Sequence, residues 1–314
     1  MHHNQLAIID NYKLSFNETA EIAGNFTKQH DKNLWRFSNL LYSKKLRRYF
    51  FFIYSYLRWV DDFIDDPKNS VPEKINFISH QREVLLKTLS KKNVKFTAPE
   101  ENYLFYYIDH LMKTNELDFI RYVDNTFKSF EMDIKRLEGD GMFSESMLSE
   151  YLRILNEAIF RTSFLFIPMK KSSKEQKGFI GIFIWYTLMI LEFKKDVEAG
   201  FINISRENVK KYNLDADNLL EDNKRSIWLR NFYPKIVQIL EEELLVMNKM
   251  PFFVKIVSMI VWMLSYNNLI EEFNRVKFYD FKFGMKLKKE FPKEVKTFIS
   301  TIHMSIHIFA KVFF

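Results

Sequence analysis

Apolar residues recur every three or four positions along most of the chain. Over 47–66, 74–91, 115–137, 145–168, 179–199 and 236–249 this spacing matches one face of a helix and predicts amphipathic helices. The breaks are short and polar. "DPKNSVP" (66–72), "KFTAP" (95–99), "EGDG" (138–141) and "KKSSKEQKG" (170–178) read as loops, as do the segment after Gly200 and the surroundings of Pro251 and Pro292. No solenoid repeat and no low-complexity linker divides the sequence. The pattern predicts one all-α domain spanning 1–314, with roughly ten helices and a flexible lead over 1–15.

Composition supports that pattern. Of 314 residues, 47% are hydrophobic and 17% aromatic, which is ample for a well-buried core. Only 7 glycines and 7 prolines occur, fewer than strand-and-turn folds normally need. The most apolar windows, "FIGIFIWYTLMILEF" and "FFVKIVSMIVWML", fall short of a membrane span and read as buried core helices. The start, "MHHNQLAIIDNYK", lacks the basic-then-apolar signature of a signal peptide. No cysteine is present, so disulfides and thiolate metal sites are excluded and a reducing, cytoplasmic setting is expected.

The net charge of +7 is spread along the chain with acidic residues interspersed, and no basic arm or zinc-finger spacing appears. A nucleic-acid partner is not expected. Attraction to phosphorylated ligands, or peripherally to anionic lipid, is consistent with the charge. The histidines have no H-E-x-x-H spacing, which argues against zinc.

Against this background "YLRWVDDFIDDP" (56–67) stands out. Residues four apart share a helix face, so Asp61 aligns with Asp65 and Asp62 with Asp66. Stacked carboxylates repel unless a cation lies between them, and an all-oxygen donor set suits Mg²⁺ together with phosphate oxygens. The other reading is a solvated acidic tip, although acids at a helix C-terminus oppose its dipole. Glu192 and Asp196 repeat the spacing after a second apolar run. Two such helices facing each other would place carboxylates on both sides of a diphosphate, with hydrocarbon below.

The stretch "RRYFFFIYSYLRWVDDFIDDP" resembles the first aspartate-rich motif of the squalene/phytoene synthase family, Arg-x-x-Asp-Asp-x-x-Asp, with Arg58, Asp61, Asp62 and Asp65 on its positions. "HDKNLWRFSNLL" resembles the segment whose lysine holds diphosphate, with Lys32 in that place. "FEMDIKRL" (130–137), "GFINISRENVKKYNLD" and "YNNLIEEFNRVKFYDF" (266–281) resemble further family stretches more loosely. The second motif departs from the family's Gln-x-x-Asn-x-x-Arg-Asp-x-x-x-Asp. An ungapped frame puts Glu192 and Asp196 on the acids, with Trp185, Leu188 and Leu191 replacing the glutamine, asparagine and arginine. A gapped frame would leave Gly200 at the second acid. The family's Gly-x-x-Gly pair appears as Glu157 and Phe160.

The resemblance implies an isoprenoid-synthase-type helical bundle around a central cavity. It implies an enzyme, monomer or homodimer, that uses about two or three Mg²⁺ ions to ionise a prenyl diphosphate and joins two prenyl chains head to head. Asp61, Asp65, Glu192 and Asp196 would hold metal, supported by Asp62. Lys32, Arg47, Arg58 and Lys195 would hold diphosphate, and Tyr54, Trp185 and Phe160 would line the hydrocarbon path. Bulk at Trp185 and Phe160 points toward shorter donors. Two alternatives accompany this reading: cyclisation or transfer to another acceptor after the same ionisation, and a non-catalytic scaffold of the same fold. No glycine-rich dinucleotide fingerprint occurs, so use of NADPH is left open.

Overall fold

The computed structural model describes residues 12–116, 119–164, 188–214 and 220–247. It is all-α over those residues. The helices are α1 (Phe16–His30), α2 (Lys32–Leu41), α3 (Lys44–Asp65), α4 (Val71–Leu89), α5 (Glu101–Lys113), α6 (Ile120–Leu137), α7 (Glu145–Phe164), α8 (Phe193–Glu198), α9 (Arg206–Lys211) and α10 (Asp222–Met247). The only strand-like feature among the described residues is a parallel bridge of Met142 with Ile202. The stretch 266–281 lies outside the described residues, as do the loop at 170–178 and the surroundings of Pro251 and Pro292.

The sequence explains where these helices start and stop. Ser15 caps α1, exchanging bonds with Glu18 three residues on, so two otherwise orphaned N–H groups are satisfied. At α4 the Ser70 N–H and hydroxyl both donate to the Glu73 carboxylate, and Pro72 fits the first turn. Between α3 and α4, Asp66 turns extended and Pro67 prevents the helix from continuing.

The chain divides into two compact units, the first comprising 1–179 with 196–205 and the second 180–195 with 206–314. In the first, α3 is the central element. It buries Phe50, Phe51, Phe52, Ile53, Tyr56, Val60 and Ile64, and packs against α1, α5, α6 and α7. A polar network crosses this core. The Tyr56 hydroxyl donates to Gln81, whose amide donates to Glu101, and Glu101 also accepts from the Thr97 N–H at 2.7 Å and contacts His80 at 2.8 Å. Glu101 is fully buried, so these partners offset its desolvation. In the second unit, Phe193 stacks on Trp228 of α10, and Trp228 on Phe232.

The 196–205 segment joins the first unit through a tight backbone approach. Gly141 has φ +75°, and a Cβ there would stand 2.2 Å from the Gly200 carbonyl oxygen. Ile202 N–H donates to the Gly141 carbonyl at 2.9 Å. Glycine is required at 141, and it brings the segment after the second acidic stretch against the end of α6.

Candidate active site

The face of α3 that carries the acidic cluster runs its full length. Arg47, Tyr54, Arg58, Asp61 and Asp65 fall within about 40° of one line along the helix. Arg47 lies about 20 Å up the axis from Asp61, which is farther than one diphosphate spans. The lower residues form a connected group. Arg58 pairs with Asp62 at 2.6 Å and with Asp61 at 3.3 Å. Solvent reaches 40% of the Asp61 side chain, so screening discounts its burial. Burial nevertheless raises its carboxyl well above the usual range, and repulsion from Asp65, Asp133 and Asp62 raises it further, against the pull of Arg58. Given the exposure, the repulsion carries that direction. Burial, with Asp31, Asp62 and Asp61 nearby, pushes the Tyr54 phenol up to about 12, so it stays a neutral hydroxyl at the head of the cluster.

Opposite this end of α3, α6 supplies a buried pair. Asp133 contacts Arg136 at 2.7 Å, although the approach is too oblique for a hydrogen bond at Oδ1. The Tyr151 hydroxyl of α7 donates to Asp133 at 2.9 Å. Arg136 also donates to the Asn203 side-chain Oδ1 at 2.7 Å, and the Asn203 Nδ2 donates to Asp196 at 2.7 Å. The guanidinium lies over Phe201, Phe143 and Tyr151, with ring centroids 4.6, 4.9 and 5.5 Å away. Asp196, the expected second-motif acid, is thus tied through Asn203 and Arg136 to Asp133, the carboxylate that interacts electrostatically with Asp61 and Asp65.

Other expected residues are placed differently. Glu192 is exposed and sits at a bend between residues 188–191 and α8, so it does not share a continuous helix with Asp196. Glu192 and Lys195 belong to the second unit. Lys32 is exposed in the first turn of α2, beside Asp31, whose carboxylate accepts from Leu34 N–H at 2.7 Å. Phe160 lies within α7. Trp185 is outside the described residues. Gly200 adopts φ +90°, and a Cβ there would meet Leu137 at 3.0 Å, so the gapped frame would put its second acid where a side chain does not fit without strain.

Asp133, Arg136, Tyr151, Asn203 and Lys74 carry no role in the sequence reading. A signal for the first two was present: Asp133 falls on the stripe Val123, Thr126, Phe127, Phe130 and Ile134, where a charged residue needs a partner, and Arg136 is three residues away.

Among the described residues no three His, Asp or Glu groups close into a cage of their own. Two carboxylates a turn apart are the donor set Mg²⁺ takes when phosphate oxygens and water complete its octahedron, so Asp61 and Asp65 suit the ion by chemistry and count.

Asp133 gives a pH signature. Burial raises its carboxyl to about 6, with Asp65 adding to it, against Arg136 and the Tyr151 hydrogen bond. Because the folded value exceeds the unfolded one, the group favours folding below about pH 4 and that contribution disappears as pH rises through about 6. The stability of the wild type, less that of Asp133→Asn, should fall by about 2–3 kcal/mol from pH 4 to pH 7. Urea denaturation across that range tests it; a difference that stays flat would mean Asp133 keeps an ordinary pKa.

No family model matches the sequence, and no curated protein matches it. Among solved structures, the chain is similar to squalene synthase HpnC from Alicyclobacillus acidocaldarius, with a TM-score of 0.62, 12% identity, and coverage of 83% of this chain and 95% of that one. At this identity the likeness is one of fold: the chain shares the all-α architecture of that structure. No helix among the described residues is long and apolar enough to cross a membrane.

Proposed function

We propose that the chain is a Mg²⁺-dependent enzyme that ionises an allylic prenyl diphosphate and joins the resulting prenyl cation to a second prenyl chain, head to head. One observation carries the reading. Asp61 and Asp65 at the end of α3 share their electrostatic environment with Asp133, which Arg136 and Asn203 link to Asp196. That is the donor chemistry a diphosphate–Mg²⁺ site needs, on a fold similar to that of a squalene synthase.

In the reaction the allylic C–O bond breaks heterolytically and the diphosphate departs with the electron pair; a double bond of the acceptor chain supplies the electrons of the new C–C bond, and the acceptor loses a proton. Mg²⁺, when bound, stabilises the charge that develops on the leaving oxygens. Asp61 and Asp65 would present carboxylate oxygens from one face of α3. Arg58 holds Asp61 and Asp62 in place, and with those carboxylates on the ion its guanidinium would be available to the diphosphate. Tyr54, kept neutral, offers a hydroxyl donor without adding charge. Lys32 would approach from the start of α2, near Asp31, whose charge Tyr54 senses.

A non-catalytic scaffold of the same fold is the second reading, and the Arg58 pairing favours it, because an arginine already neutralises two of the acids. Incubation with C10, C15 and C20 allylic diphosphates plus Mg²⁺, with diphosphate release and extracted hydrocarbon analysed together, separates the readings. Stoichiometric release with a linear product of two chains is expected. A cyclic or singly prenylated product would keep the ionisation and replace the coupling step. No consumption of any donor would make the scaffold the better account.

A further inference from the structure

Lys74 is 3% exposed, yet its ammonium makes no hydrogen bond or ion pair among the described residues. The stem is packed away while the ammonium keeps access to solvent, as in a lysine that carries its charge out of apolar surroundings. Its position explains what the charge faces. Lys74 stands in the first turns of α4, immediately after the loop that leaves α3, with its N–H on the Ser70 carbonyl. Its ammonium lies within the electrostatic reach of Asp65 and Asp66 and 6.0 Å from the centroid of Phe201. The same ring carries Arg136 on it at 4.6 Å. Two cations from two helices therefore flank one buried aromatic residue beside the acidic end of α3.

We infer that Lys74 is a diphosphate-binding residue: an ammonium held beside Asp65 to bind a phosphate oxygen of the metal-bound anion. This rests on the reading of Asp61 and Asp65 as the Mg²⁺–diphosphate site and adds to it a contact from α4. Partial burial lowers the lysine's pKa, and the charges of Asp65 and Asp66 oppose that shift. Its unfilled hydrogen-bonding capacity suits it to an anion that arrives with the ion. A purely structural counterion would pair directly with Asp65 or Asp66; Lys74 does not.

The test is calorimetric titration of inorganic pyrophosphate into the full chain at saturating MgCl₂, for the wild type, Lys74→Met, Lys74→Arg and Asp65→Asn, with thermal melts of each. Lys74→Met keeps the apolar stem and should bind at least tenfold more weakly, while Lys74→Arg stays within about threefold of wild type. Wild-type affinity in Lys74→Met, whatever its melting temperature, overturns the inference and leaves the acidic site standing if Asp65→Asn has lost binding. Tighter binding in Lys74→Met would make Lys74 a competitor of the ion and also overturns it. If neither the wild type nor any variant binds pyrophosphate with Mg²⁺, both the inference and the site it rests on fall.

Discussion

Asp61→Asn and Asp65→Asn should each lower Mg²⁺-dependent diphosphate release by about a thousandfold or more, near 4 kcal/mol of transition-state stabilisation. The argument is electrostatic. Bond breaking concentrates charge on the leaving diphosphate, and an ion anchored by two carboxylates is the main means of stabilising it. An amide keeps shape and one oxygen but supplies no charge to fix the ion. Stability should not follow activity. Asp61 is repelled by Asp65, Asp133 and Asp62, so removing either charge of the stacked pair relieves strain in the metal-free chain, and the melting temperature should hold or rise. Asp62→Asn should lose less activity, because Asp62 mainly anchors Arg58 at 2.6 Å. Single-turnover release of diphosphate, alongside thermal melts, gives both quantities. Release that is unchanged in Asp61→Asn and Asp65→Asn would remove α3 from the chemistry and with it the proposed function.

The helical class and the helices α3, α4, α6 and α7 were legible because periodicity and loop chemistry are local, whereas α5 was not among the helices the pattern predicted. Serine caps followed by a glutamate three residues on, and proline after the acidic run, set helix ends close to those expected. The first acidic motif was legible for the same reason: a four-residue spacing within one helix fixes which carboxylates share a face. The partners of that motif were not, because nothing local aligns Asp133 with Asp61 or places Asn203 against Arg136. That juxtaposition depends on Gly141 letting residues 200–202 approach α6. The expected Glu192–Asp196 pair assumed one unbroken helix, and the bend at Glu192 separates them. Spacing arguments of this kind hold only while the helix continues.

Arg136 is where the fold and the site depend on one side chain, and Arg136→Ala should destabilise the chain by about 3–5 kcal/mol. The guanidinium is 4% exposed and is the cation beside Asp133. Removing it leaves a buried carboxylate with only the Tyr151 hydroxyl, leaves Asn203 without its donor, and opens space beneath Phe143, Tyr151 and Phe201. Asp133 should then hold its proton to higher pH, since the main group lowering its pKa is gone. Two further variants separate the causes. Arg136→Met refills much of the volume without the charge, so recovery there would assign the loss to the cavity. Arg136→Ala combined with Asp133→Asn removes the orphaned charge, so recovery there would assign it to the broken pair, the outcome expected from the burial of both groups. Because Arg136 reaches Asp196 through Asn203, the single variant should also loosen the 196–205 segment, seen as faster amide exchange at Ile202 and Asn203. Protection at those amides equal to wild type, with little loss of stability, would mean that the Gly141–Ile202 backbone contact alone seats the segment and that Arg136 is not what holds the second acid in place.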